Sequence, residues 1–150
     1  MSEVIMYTDG AAKGNPGPGG YGVVLMSGSH QKEISDGFKN TTNNRMELMA
    51  VIVGLEALRK SGTKVTVYSD SKYVVDAVEK GWLTSWVKKG FKGKKNIDLW
   101  KRYLQVAQVH RVSFVWVKGH AGNRYNERCD QLAVSAAESS DLKVDIGYSN

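Results

Sequence analysis

Four acids in this 150-residue chain sit where elements end or meet rather than on solvated faces: Asp9, Glu47, Asp70 and Asp130. Asp9 closes a β-branched and aromatic run, Val4 to Thr8, and Asp70 closes another, Val65 to Tyr68, just before a helical pattern. Glu47 falls in the first turn of a long helical pattern, and Asp130 lies on the last one. Carboxylate oxygens are hard donors of the kind that Mg²⁺ and Mn²⁺ take. Each acid also has an ordinary structural role open to it. Asp9-Gly10 reads as a turn, Asp70 as a helix N-cap, Asn44-x-x-Glu47 as a capping box, and Asp130 as a surface acid facing Arg128. Spacing alone does not show that the four converge. His120, in Gly119-His120-Ala121-Gly122, reads from its own surroundings as an exposed loop histidine.

The elements that would position these acids follow from periodicity. Val4 to Thr8, Tyr21 to Met26 and Lys32 to Phe38 read as strands joined by short turns, an antiparallel meander. The period then changes. Leu48, Val51, Ile52, Leu55 and Leu58 mark a helix over 46–58, and Val65 to Tyr68 is a fourth strand. Helical patterns over 71–80 and 98–109 precede a fifth strand, Val112 to Val117, and Glu127 to Ala137 closes the series as a helix. This order predicts an α/β fold: a mixed five-stranded sheet, its first three strands antiparallel, with helices on both faces. If the first and fourth strands are neighbours, Asp9 and Asp70 emerge at the same edge of the sheet. The segment Gly14 to Gly20 holds both prolines and reads as irregular, and the residues after Asp141 read as a loose tail. The length fits one domain, with a core over about residues 3–140.

Composition narrows the classes. Lys and Arg total 21 against 15 acids, a net charge of +6, which suits a polyanionic partner or simply a basic enzyme. Cys129 stands alone, so no intramolecular disulfide forms, and three histidines without cysteine partners argue against structural zinc. No basic leader and no long apolar run is present, so the expectation is a cytoplasmic protein with no membrane role. No hydrophobic repeat points to a dimer, so a monomer is expected. Gly17-Pro18-Gly19-Gly20-Tyr21-Gly22 satisfies the dinucleotide-loop spacing, but it runs into a strand where that loop must open a helix.

The motifs together resemble one family. Tyr7-Thr8-Asp9-Gly10 with Gly14 to Gly20, Thr41-Thr42-Asn43-Asn44-Arg45-Met46-Glu47-Leu48, Tyr68-Ser69-Asp70-Ser71, and Lys118-Gly119-His120-Ala121-Gly122 with Asn126 to Asp130 are similar to the signatures of bacterial type 1 ribonucleases H, in that family's order. The resemblance spans residues 4 to about 137. It implies a metal-dependent endonuclease that cuts the RNA strand of an RNA–DNA hybrid and leaves 3′-hydroxyl and 5′-phosphate ends. It further implies that Asp9, Glu47, Asp70 and Asp130 hold two Mg²⁺ ions (Mn²⁺ being the other candidate), which activate a water and stabilise the leaving 3′-oxygen. By the same match His120 moves protons near the attacking water or helps product leave.

Reading a hybrid means sensing the 2′-hydroxyl in a wide, shallow minor groove. Asn15, Asn43 and Asn44 match the family's hybrid-contacting asparagines, and Thr42 and Asn96 match positions that hold a phosphate of the DNA strand. Residues 81–97 contain Lys88, Lys89, Lys92, Lys94 and Lys95 and no acid, interleaved with Trp82, Trp86 and Phe91; this resembles the family's basic protrusion, which grips the DNA strand. Departures from the family pattern are Lys72 at a minor-groove position that is often Gln, Ala12, Asn40, Phe91, the short loop Gly93 to Lys95, and Asn123-Arg124-Tyr125. None touches an expected metal ligand. Three other readings stay open: a resolvase- or transposase-like DNA nuclease on the same fold, a catalytically inactive hybrid-binding module, and a nucleotide-cofactor enzyme.

Overall fold

The computed structural model describes residues 3–119 and 123–148. Strands β1 (Glu3–Ala12), β2 (Gly17–Ser27), β3 (His30–Thr41), β4 (Lys64–Ser69) and β5 (Arg111–Trp116) form a sheet in the order β3-β2-β1-β4-β5. The first three strands pair antiparallel, as expected. β4 joins β1 in parallel, and β5 joins β4 in parallel. The helices are α1 (Asn43–Glu56), α2 (Lys72–Glu79), α3 (Trp82–Lys88), α4 (Ile97–Ala107) and α5 (Arg124–Ala137).

α1 covers one face of the sheet. Its N-cap is Thr42, whose hydroxyl accepts from Arg45 N–H at 3.2 Å. The capping box expected at Asn44 therefore does not form. Met46, Leu48, Val51, Ile52 and Leu55 are fully buried, because α1 lies between the sheet and α4 and is apolar nearly all round. Each such side chain contributes roughly 1.5–3 kcal/mol by leaving water.

α5 covers the other face, and its approach depends on missing side chains. Gly20 of β2 pairs with Gly37 of β3, and Gly22 lies two residues along on the same side. A Cβ on Gly20, Gly22 or Gly37 would lie 2.5 Å from Ala133 O, 2.4 Å from Cys129 O or 2.1 Å from Ala136 O. The backbone of α5 thus rests directly on the sheet. This explains the glycine-rich run of β2, whose spacing imitates a nucleotide loop.

Four expectations need correction. Asp9-Gly10 is not a turn: β1 runs through it to Ala12 and pairs with Gly19 to Gly22. Gly17 to Gly20, expected to be irregular, belong to β2. α3 was not anticipated, since its Trp-Leu-Thr-Ser-Trp-Val-Lys sequence is masked by the lysine run that follows. Over residues 142–148 the tail expected to be loose is docked, because Lys143 pairs with β3 and Asp145 is 5% exposed. No helix among the described residues is long and apolar enough to cross a membrane.

Candidate active site

Three of the four acids come together where the parallel ladder ends. The last rung between β1 and β4 is Tyr7 opposite Tyr68, so Asp9 lies two residues on along β1, level with Asp70 just past β4. Tyr7 stacks on Tyr68 at 4.9 Å and packs against Tyr125 of α5 at 5.2 Å, bracing the strand next to Asp9. The N-cap of α2 is Ser71, not Asp70, so the Asp70 carboxylate is not committed to capping. Trp116 Nε1 donates to the Asp70 backbone carbonyl at 3.1 Å and anchors that corner. Glu47 arrives from α1, and Gly10 sets how near. A Cβ on Gly10 would lie 2.4 Å from the Glu47 nitrogen. That close approach, not a turn, is the reason for glycine after Asp9.

Asp9, Glu47 and Asp70 each offer an oxygen within 4.8 Å of the others, an arrangement suited to a hard divalent cation. Glu47 Oε1 and Asp70 Oδ1 are buried and lack any hydrogen-bond partner among the described residues. Buried oxygens left unpartnered are costly unless something fills them. Burial, then the Asp70 charge, pushes the Asp9 carboxyl up to about 8. Burial, then the charges of Asp9 and Asp70, raises Glu47 well above the usual carboxylate range. Such a cluster fits a cation, which would reverse each of these penalties.

Asp130, on α5, lines the same cavity of about 380 Å³ together with Asp9, Glu47, Asp70, Asn43, Asn44 and Lys72. It does not face Arg128, whose guanidinium pairs with Glu33 at 2.6 Å. One turn before Asp130, Asn126 shares a small cavity with Asp9, Asp70 and Asp130, its Oδ1 buried and without a hydrogen-bond partner among the described residues. The sequence reading gave Asn126 no role, although its i, i+4 spacing from Asp130 was the available signal. His120 lies outside the described residues; Gly119 sits against Asp70, where an added Cβ would lie 3.0 Å from Oδ2. Cys129 is buried, and burial followed by the Asp9 charge raises its thiol to about 12, which leaves it packed and inert.

A second groove, about 760 Å³, adjoins the acid cavity through Asn44. Its walls include Asn15, Thr42, Lys94, Lys95 and Asn96. Asn15 Oδ1 accepts from Asn43 N–H at 3.1 Å, tying the β1–β2 loop to the start of α1. Asn96, at φ 60° before α4, donates to Tyr73 Oη at 3.1 Å; asparagine tolerates that left-handed conformation. Lys72 lies over the Trp116 ring at 4.7 Å, at the rim of the acid cavity. Trp82, Lys88, Lys89 and Lys92 are exposed on α3 and the turn after it and line neither cavity. Trp86 is half-buried against Trp100 at 5.7 Å, so it supports this region from within. His30 and His110, assigned no role, line neither cavity.

The sequence also missed Arg45, a residue of the second signature. It is 2% exposed and joins α1 to Asp98 at the start of α4 and to Asp145 in the tail.

The sheet sets Asp9 and Asp70 side by side at the ends of its first and fourth strands, and solved structures of RNases H carry the same fold. LC9-RNase H1, described as a type 1 RNase H with the type 2 active-site motif, matches with a TM-score of 0.82 and 32% identity, over 91% of this chain and 72% of that one. LC11-RNase H1, solved in complex with an RNA/DNA hybrid, matches at TM-score 0.63 and 28% identity, over 90% and 96%. The ribonuclease H of Syntrophus aciditrophicus is 56% identical, with 99% of this chain and 88% of that protein covered. With the RNase H family model matching residues 1–138, the chain belongs to the RNase H family. It is accordingly a nuclease, a hydrolase of phosphodiester bonds.

Proposed function

We propose that this chain hydrolyses the RNA strand of RNA–DNA hybrids, with Asp9, Glu47, Asp70 and Asp130 holding two Mg²⁺ ions, and leaves 3′-hydroxyl and 5′-phosphate ends. The observation that carries the reading is the convergence of Asp9, Glu47 and Asp70, with Glu47 Oε1 and Asp70 Oδ1 buried and without partners among the described residues. When bound, the ions supply an activated water and charge neutralisation at the leaving oxygen. The chain's own groups do the rest. Gly10 admits Glu47 to within reach of Asp9, and Trp116 holds the Asp70 corner. Asp130 adds a fourth carboxylate from α5. His120 follows Gly119, which abuts Asp70, and we assign it proton movement at the attacking water.

For the substrate, Asn15, Asn43, Asn44 and Lys72 read the minor groove around the cut, while Thr42 and Asn96 take a phosphate of the DNA strand. The exposed Trp82, Lys88, Lys89 and Lys92, backed by Trp86, grip the same strand farther along. If about three to five of Lys88, Lys89, Lys92, Lys94 and Lys95 meet phosphates, affinity falls with salt at a log–log slope near −0.9 per contact. A salt-independent Michaelis constant would remove them from the interface. We read the chain as a single domain acting as a monomer in the cytoplasm.

The test is cleavage of a strand-labelled hybrid with Mg²⁺ or EDTA, beside double-stranded RNA, double-stranded DNA and single-stranded RNA. Metal-dependent cutting confined to the hybrid's RNA, and lost in Asp9→Asn, is expected. Tight hybrid binding without cutting would instead define an inactive binding module, and cutting of DNA a resolvase- or transposase-like enzyme.

A further inference from the structure

The family match ends at residue 138, yet the chain goes on to build one wall of the larger groove. Lys143 donates to Gly37 O at 2.9 Å and its carbonyl accepts from Lys39 N–H at 2.8 Å, so the segment lies along β3. Two residues on, Asp145 accepts from Thr41 Oγ1 at 2.7 Å and from Arg45 through Nε at 2.7 Å and Nη2 at 2.9 Å. Arg45 turns its remaining donors to Asp98, at 2.9 and 2.8 Å, and reaches Asn96 Oδ1 at 3.4 Å. Gly147 then passes Asp98 so tightly that a Cβ would lie 1.8 Å from Oδ2. Tyr148 ends the wall with its ring 5.8 Å from the Arg45 guanidinium.

A buried guanidinium keeps one geometry only while its fork is filled. Asp98 is 43% exposed at its side chain, whereas Asp145 is 2% exposed. Asp145 is therefore the partner that pins Arg45. Arg45 in turn borders both Asn96 and the start of α1, where Thr42 and Asn44 face the groove.

We propose that Gly147 and Tyr148 form the outer wall of the duplex-binding groove, held there by the segment 143–146, and that Asp145 is its positioning residue. Acting through Arg45, it fixes Asn96 and the α1 N-terminus, so the tail sets hybrid affinity and leaves the chemical step alone. This rests on the reading above that the groove takes the hybrid's DNA strand.

The experiment compares the full chain with Asp145→Asn, Gly147→Ala and Tyr148→Ala. It measures kcat and KM for hybrid cleavage in Mg²⁺ and binding of a fluorescein-labelled hybrid in EDTA by anisotropy. Circular dichroism verifies that each variant is folded at the assay temperature. Gly147→Ala forces the tail and Asp98 apart while keeping every charge of the cluster, and Ile52→Val, a core change, controls for stability alone. Asp145→Asn is expected to raise KM and Kd about tenfold with kcat held within about twofold, since a charge-assisted hydrogen bond is lost but no reacting group. Gly147→Ala and Tyr148→Ala should shift KM the same way by about threefold or more, and Ile52→Val should not shift it. Unchanged KM in both Asp145→Asn and Gly147→Ala, or a fall in kcat at unchanged KM, overturns the proposal. If the parent chain neither binds nor cuts the hybrid, the hybrid reading itself falls and takes this proposal with it. If the parent binds and the variants match it, the tail proposal falls alone.

Discussion

Two buried charged clusters share helix α1, two residues apart, and they are built on opposite rules. Around Arg45 four donors meet carboxylate oxygens, of Asp145 on one side and Asp98 on the other, at 2.7 to 2.9 Å, and the fifth reaches Asn96 Oδ1 at 3.4 Å. Around Glu47 the carboxylates of Asp9 and Asp70 gather with Lys72 only at the rim, Glu47 Oε1 and Asp70 Oδ1 have no hydrogen-bond partner among the described residues, and the carboxyls of Asp9 and Glu47 are raised. The first cluster is complete within the chain. The second brings like charges together, a strain that a bound cation would relieve.

The largest test of this contrast removes the centre of the satisfied cluster. Arg45→Met leaves Asp145 buried and unpaired and should cost roughly 3–5 kcal/mol by urea unfolding. Replacing Asp145 by Leu as well should return most of it, because a buried pair exchanged for apolar groups is often near neutral. Loss without recovery would mean that the cluster does more than balance itself.

In the unsatisfied cluster the signs reverse. Asp70→Asn should lower hybrid cleavage more than about 100-fold, since even the outer partners of metal ligands are worth roughly 10- to 100-fold. The same substitution should raise the melting temperature of metal-free protein at pH 7–8 by a few degrees, at ~2–4 °C per kcal/mol for a chain this size. A variant both inactive and less stable would contradict the reading of stored repulsion.

A pH series separates the clusters further. Asp9 titrates near 3.8 when unfolded and about 8 when folded, so the native state binds the extra proton between those values. Stability of the metal-free chain should then fall as pH rises from about 4 to about 8. Mg²⁺ should flatten that fall by favouring the ionised carboxylates. A metal-free stability rising over the same window would invert the assignment. The smallest effect belongs to the exposed pair Arg102–Glu56, 2.6 Å apart and 44% and 37% exposed. Breaking it should cost under about 1 kcal/mol by urea unfolding, against the several expected at Arg45.

How much of this was legible in the sequence follows the range of each interaction. Strand and helix periods are local: they marked Val4 to Thr8 and Val65 to Tyr68 as strands and left their pairing conditional, and the structure supplies it. The four acids were visible as acids, but only the family motifs singled them out, because each had a local role that explained it equally well. Those local roles failed for nearby causes: Thr42 rather than Asn44 caps α1, and Ser71 rather than Asp70 caps α2. The tail was illegible for a different reason. Asp145 finds its partner 100 residues away, and nothing near Asp145 announces that a guanidinium awaits it. Gly10 misled for the same reason, since its neighbour is the backbone of α1 and not its own turn.

The bare strip of Gly20, Gly22 and Gly37 has a mechanical meaning. A helix seated on side chains can rock as rotamers change, whereas α5 is seated on backbone and has no such suspension. Asp130 rides on that helix, so its height above Asp9 is gauged by the thickness of the sheet itself. A single added methyl at Gly22 would act as a shim under α5 and lift Asp130 off the acid cavity without altering any acid. The tolerance of the active site is thus machined into three positions that carry no chemistry at all.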